Sequence, residues 1–362
     1  MLLKLASLKL ALVILIALGI GVMVSYLSEV RTTWALVVPL ALLAVNLSAA
    51  VATNPAFWRQ KALLVFHLAL IAVILLIAIG RLTYLRGTLE LTTGVMFDGN
   101  LTSTEAGPLH YWRLKDVKFM HDGFEIDYAP GTPNQGFGTE YKNGTDEQAS
   151  SGVTPSSSAA SAPLMSDATG ARRADTRNRV RWLDENQVWH TEVIGDNKPL
   201  TLLGYNFFTT SNKGYAPLFT WTSNDTGNPV TGALHLPSYP VNQYKQYLEW
   251  TPPGSNLKLW TQLQFDEVII NPYQASQFRI PEQHKIVIRH DDQRYELHPG
   301  DSVNFSGGVL TYQKLSTWMG YNVDNDWTIS WLLAACSIAM ASLMWHFWQK
   351  FSARPWREDE ET

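Results

Sequence analysis

"KALLVFHLALIAVILLIAIGRL", residues 61–82, decides the fold class. Between Lys61 and Arg81 there is no charge, and almost every side chain is aliphatic. About 20 apolar residues in a helix match the hydrocarbon thickness of a bilayer, so the stretch predicts a transmembrane helix. One residue is out of place. His67 lies six residues after Lys61, about 9 Å along the helix axis. An imidazole in hydrocarbon is costly unless a partner satisfies it, and ionisable residues at that depth are commonly functional.

Three further uncharged runs have the same character, at Leu10–Ser28, Thr32–Trp58 and Thr328–Gln349. The first, preceded by Lys4 and Lys9, would also suit a secretory signal. However, "VSYLSEV" (24–30) has no small-x-small cleavage pattern and further spans follow at once, so an uncleaved anchor is expected. Four transmembrane helices are therefore predicted, three N-terminal and one C-terminal, with membrane lipid as their surroundings. Basic residues collect on one side, as Lys4, Lys9, Arg59, Lys61, Lys350, Arg354 and Arg357. The other side has Arg31, Arg81 and Arg86. The positive-inside rule puts both termini in the cytoplasm and the long segment between the third and fourth spans outside, in the periplasm of a Gram-negative inner membrane. The expected divisions are 1–86 (three helices), 87–326 (external domain), 327–349 (fourth helix) and 350–362 (cytoplasmic tail).

The 362 residues carry a net charge of −4, which argues against nucleic acid as a partner. The single cysteine, Cys336, falls in the fourth span, so the external domain has no disulfide and must hold itself by packing. There is no CxxC for thiol exchange and no CxxCH for covalent haem attachment.

The external segment reads as short β-strands. "GTLELTTGVMF" (87–97) alternates, and "VKFMHDGFEIDYA" (117–129) suggests two strands turning at His121-Asp122-Gly123. Residues 129–177 are dominated by Gly, Ser, Thr, Ala, Pro and Asn and read as a disordered insertion that the fold does not need. Strand text resumes at "RVRWLDENQVWHTEVI", "PLTLLGYNFFTT", "APLFTWTS" and "LKLWTQLQF". "KIVIR" and "QRYEL" form a second hairpin about His290-Asp291-Asp292, and "GGVLTYQKL" follows. These predict an antiparallel β domain, a sandwich or barrel-like body, or else two smaller lobes parted by the insertion. "YNFF" and "LFTW" are expected to fill its core.

Layout and local text together resemble the ResB (CcsB) family of cytochrome c biogenesis proteins. The residues that carry the resemblance are "LASLKLALVILIALGIG" in the first span, "FHLALIAVILLIAIGRL" in the third and "RGTLELTTGVMFDG" after it. "NKPLTLLGYNFFTTS" and "WMGYNVDNDWTISWLLAACSIAMASLMWHF" complete the set. The resemblance implies a part in system II, in which a ResB-like protein pairs with a ResC (CcsA)-like membrane protein as a cytochrome c synthetase. The pair moves haem b outward and joins it to apocytochrome c. No tryptophan-rich "WGxxWxWD" stretch occurs, so this chain resembles the B half alone, an accessory rather than catalytic subunit. The family's B half places a haem-ligating histidine in its third span, and His67 falls there.

His67 is thus the candidate axial ligand of a haem iron. The residues alone leave open a histidine bonded to Asn46 or Ser48 of the second span. Arg59 and Lys61 flank the cytoplasmic end of the third span and could pair with haem propionates, or could simply anchor the helix. His346, in "MWHFWQK", is a member of an interfacial aromatic belt or a second ligand at similar depth. The other seven histidines (His110, His121, His190, His235, His284, His290 and His298) show no metal-ligand spacing and are expected at the surface or in turns. No catalytic residue is assigned. Two rival readings are a ResB-like structural subunit without haem, and a membrane sensor whose β domain binds an external ligand.

Overall fold

The computed structural model describes residues 2–27, 33–130, 171–195, 197–225 and 227–352. Its helices are α1 (Leu2–Leu5), α2 (Leu8–Leu27), α3 (Thr33–Thr53), α4 (Pro55–Arg59), α5 (Lys61–Thr83) and α6 (Thr328–Ser352). Four of these, α2, α3, α5 and α6, are long and apolar enough to cross a membrane. They correspond to the four predicted runs, with α6 continuing three residues past Gln349. The second run is shorter than expected because Asn54-Pro55 breaks it. The Asn54 side chain accepts from Ala56 N (3.0 Å) and Pro55 opens the short α4, an N-cap with proline in the first turn. Trp58 Nε1 then donates to Val51 O (3.1 Å), folding α4 back on α3.

The helices bury little against one another. A small cluster of Leu40, Ala44, Ile74 and Ala78 joins α3 to α5, while α2 buries only Ile14 and Gly21. Aliphatic side chains on the remaining faces suit lipid. α5 and α6 pack tightly at the ends that adjoin the β domain. A Cβ on Gly80 would stand 2.6 Å from Thr328 Oγ1, so only glycine allows the approach. Asp326 caps α6 by accepting from Thr328 N (3.0 Å) and Thr328 Oγ1 (2.6 Å).

The strands are β1 (Leu85–Thr92), β2 (Ser103–Ala106), β3 (Phe119–Ala129), β4 (Arg172–Leu183), β5 (Trp189–Ile194), β6 (Leu200–Leu202), β7 (Tyr205–Ser223) and β8 (Pro229–Ala233). They continue with β9 (Tyr247–Trp250), β10 (Leu259–Gln264), β11 (Ser276–Gln277), β12 (Lys285–His290), β13 (Gln293–Leu297), β14 (Ser302–Phe305) and β15 (Gly308–Asn325). All pairings are antiparallel. The central sheet runs β2-β1-β15-β7-β6, with β14 on β15 and β8 on β7. Two four-stranded sheets run β13-β12-β10-β9 and β11-β3-β4-β5. One hydrophobic core joins the three, with Phe97, Phe119 and Phe207 in mutual ring contact and Tyr321 edge-on to Phe119.

The central sheet is bolted to the membrane helices. β1 follows α5 after Tyr84 alone, and β15 leads to α6 across two residues. Leu85 pairs with Asn325, so the β1–β15 ladder continues the α5–α6 pair.

Four expectations need correcting. The stretch 119–129 is one strand, not a hairpin. Its register slips between His121 and Gly123, a bulge that absorbs the turn-like Asp-Gly. "PLTLLGYNFFTT" is two strands, β6 and the start of β7, because Leu203 and Gly204 both take positive φ (50° and 84°) and turn the chain. The predicted insertion 129–177 is too long at its far end, since β4 begins at Arg172, opposite Ala129. Residues 131–170 of it lie outside the described residues. Because β3 and β4 pair with each other, the insertion does not divide the domain into two lobes. The hairpin about Asp291 forms as expected.

Candidate functional site

His67 is two turns into α5, and its ring is half-buried. Its Nδ1 lies 2.7 Å from the Leu63 carbonyl oxygen, one turn back on the same helix. A carbonyl can only accept, so Nδ1 carries a proton, and in the neutral tautomer this leaves Nε2 as the ring's acceptor. The imidazole is not bonded to Asn46 or Ser48, which corrects one alternative. Asn46 is occupied elsewhere, donating through Nδ2 to Leu5 O (2.5 Å) and Ser7 O (3.3 Å), which ties α1 to α3. Among the described residues no hydrogen-bond partner meets His67 Nε2.

Two aromatic rings fix the imidazole plane. Phe57 of α4 approaches to 4.4 Å between centroids at 56°, and Phe66 to 5.2 Å edge-on. Phe57 is the member that sequence reasoning missed. The Asn54-Pro55 cap was the available signal, because it starts a second short helix and turns Phe57 back towards α5. Arg59 and Lys61 are exposed on this same side and make no ion pair with any described residue.

His346 does not share the level of His67. Gly80 and Thr328 touch, so the antiparallel α5 and α6 can be counted from that point. His67 is 13 residues from it and His346 is 18, which puts His346 about 7.5 Å farther from the β-domain end of the helix pair. It packs edge-on against Phe347 (5.7 Å) within the aromatic cluster there. The arrangement supports the belt and not a second ligand beside His67.

The histidines of the β domain have local duties. His235 bridges Glu90 (3.1 Å) and Thr92 Oγ1 (2.8 Å), His190 pairs with Asp184 (3.0 Å), and His284 meets Tyr312 OH (2.9 Å). His290, the last residue of β12, lies against Lys258 O (3.1 Å), and His298, at the turn after β13, lies against Asp301 (3.5 Å). His110 and His121 are not at the surface as expected, but buried. His110 bonds Thr83 O (2.7 Å) and Tyr205 OH (3.0 Å). His121 Nδ1 donates to Asn178 Oδ1 (2.7 Å), and Asn178 Nδ2 donates to Tyr321 OH (2.5 Å). Its Nε2 has no partner among the described residues, and burial lowers its pKa to about 4, so the ring is neutral at pH 7. Among the described residues no three His, Cys, Asp or Glu side chains converge on a metal position.

The chemistry open to His67 follows. A single imidazole cannot hold a bare ion, but it can give one axial bond to a metal already held by a macrocycle. A ligating histidine normally donates its other ring N–H to a fixed acceptor, as Nδ1 does here to Leu63 O. The residues fit the haem that the sequence resemblance implies: an imidazole held through Nδ1, two aromatic rings beside it, and Arg59 and Lys61, without an ion pair among the described residues, at the start of the same helix.

The sequence profile of the ResB-like family matches residues 45–352, most of the chain, and takes in α5, α6 and all the strands. The chain belongs to the ResB-like family. No curated protein matches it.

Proposed function

We propose that this chain is the ResB-like half of a cytochrome c synthetase in a bacterial inner membrane, with both termini in the cytoplasm and the β domain outside. Its partners would be a ResC (CcsA)-like membrane protein and apocytochrome c. The observation that carries the proposal is the His67 ring within an apolar helix, whose Nδ1–H is engaged by Leu63 O and whose Nε2 meets no hydrogen-bond partner among the described residues. Haem b would supply an iron with an open axial position and two carboxylates. His67 Nε2 would bind the iron, and Phe57 and Phe66 would hold the ring in plane and exclude water. Arg59 and Lys61 would face the carboxylates by charge-assisted hydrogen bonds. Neither residue has a competing ion pair among the described residues, which keeps both available.

The β domain would hold the apocytochrome at the outer face. Its rigid link to α5 and α6 suits that task, because the distance from the membrane is then fixed. Covalent attachment needs reduced iron and positioned thiols, which this chain does not supply, so the reaction would belong to the pair.

The test is maturation of a CxxCH reporter in cells lacking their own synthetase, with this chain and a ResC-like partner supplied together. Wild type should yield covalently haem-bound reporter. His67→Ala should lose most of it, and added imidazole should restore part. Undiminished maturation in His67→Ala would overturn the assignment.

A further inference from the structure

The loop Gly107–Arg113 belongs to the β domain yet is strapped to the end of a membrane helix. Gly107 N donates to Tyr84 O (2.9 Å), Leu109 N to Leu82 O (2.8 Å) and His110 Nδ1 to Thr83 O (2.7 Å). These carbonyls lie at the outer end of α5, just past Arg81, the first charge after its apolar run. The contact is so close that a Cβ on residue 107 would lie 2.3 Å from the Leu82 carbonyl, which only glycine avoids. On the other side His110 Nε2 lies 3.0 Å from Tyr205 OH, and that oxygen accepts from Arg113 N (3.1 Å). The loop is therefore pinned to both α5 and β7 and is a fixed projection.

What it projects is unusual for a water-facing loop. Leu109 is 63% exposed, Tyr111 79% and Trp112 60%, three large side chains in four residues. Trp327 and Trp331, 52% and 63% exposed, stand near the same level, because they flank Thr328 where α6 touches Gly80. Tryptophan and tyrosine, apolar with one polar atom, gather at the boundary between hydrocarbon and headgroups. Arg81, at the end of the apolar run of α5, and Arg113, at the end of the loop, are exposed, and guanidinium groups suit phosphate.

We propose that the Gly107–Arg113 loop is seated in the outer headgroup layer of the bilayer, and that this wedge fixes the height and tilt of the β domain. The occupant of the patch is lipid because the loop is hydrogen-bonded to the last residues of α5, where the helix's long apolar run ends. The patch also carries the Trp-Tyr-Arg mixture of that boundary. The inference rests on the four helices lying in a membrane and is independent of haem binding at His67.

A depth measurement on the full chain in phosphatidylethanolamine/phosphatidylglycerol nanodiscs tests it. With Cys336→Ala removing the one native thiol, a nitroxide is placed at Leu109→Cys and, for reference, at Val230→Cys. Val230 is 48% exposed on β8 opposite Trp221, whose partner Leu310 is 15 residues up β15 from Asn325, about 50 Å from the membrane end. Relaxation by oxygen relative to a water-soluble nickel chelate should be several-fold greater at residue 109 than at 230. Tyr111→Cys gives the same reading if Leu109→Cys does not fold. Equal ratios at 109 and 230 would place the loop in water and overturn the proposal. So would shielding of residue 109 from both reagents, which would mean that protein covers the patch.

Discussion

Acidification is expected to weaken the β domain through His121, and the size of the effect can be worked from its surroundings. The ring is fully buried beside Phe124 and Tyr321, donates from Nδ1 to Asn178 and leaves Nε2 bare. Burial lowers its pKa from 6.5 to about 4, against the smaller raising effects of Asn178 and Asp122. The unfolded chain therefore takes up the proton first as pH falls. Stability from the neutral ring is whole above pH 6.5 and is lost progressively down to about pH 4. Each pKa unit corresponds to about 1.4 kcal/mol, so the full loss is about 3 kcal/mol, of which about 2 kcal/mol has gone by pH 5. His284, also lowered by burial, titrates in the same direction, so the comparison must be with His121→Gln, which keeps His284. The assay is urea unfolding of the full chain in detergent, followed by near-ultraviolet circular dichroism at about pH 7.5 and about pH 5. Wild type should lose about 2 kcal/mol more than His121→Gln over that interval. Equal losses would refute the neutral, unpartnered ring.

Tyr321→Phe removes the oxygen that accepts from buried Asn178 Nδ2 and should cost about 1–3 kcal/mol by the same unfolding measurement. Gly80→Ala drives a Cβ into Thr328 Oγ1 and should lower the melting temperature, with Thr328→Ala restoring part of it. Residues 131–170 should be replaceable by a turn of two to five residues, because Ala129 and Arg172 are paired neighbours at the ends of β3 and β4. Loss of stable protein on that replacement would show that the segment has a structural duty.

The four spans were legible because nothing but a membrane accounts for uncharged apolar runs of that length. Their joint with the β domain was half legible: "GYNVDND" leads straight into the last span, but only the Leu85–Asn325 pairing shows that ladder and helix pair are continuous. The start of β4 was hidden because "RRADTRNR" is polar and follows low-complexity text. What holds it is cross-strand pairing, with Arg177 meeting Glu125 and Asp127 of β3 and Asp175 of its own strand. The bulge at His121–Gly123 was invisible for a related reason. An Asp-Gly step reads as a turn unless a neighbouring strand holds both sides in register. At the site, the sequence marks His67 as a misfit in an apolar run, with Asn46 and Ser48 of the neighbouring helix as candidate partners. The Leu63 carbonyl, one turn back on the same helix, was the simpler acceptor. Phe57 could not be placed without knowing how α4 folds back.

The central claim is that His67 Nε2 is an iron ligand, and the visible absorption spectrum tests it most directly. The full chain, purified with a ResC-like partner and without added haem, should carry haem with a Soret band. His67→Ala should lose that haem or shift the band to that of a weaker axial field, with imidazole returning it towards wild type. His67→Ala protein with the haem content and band positions of wild type would contradict the claim.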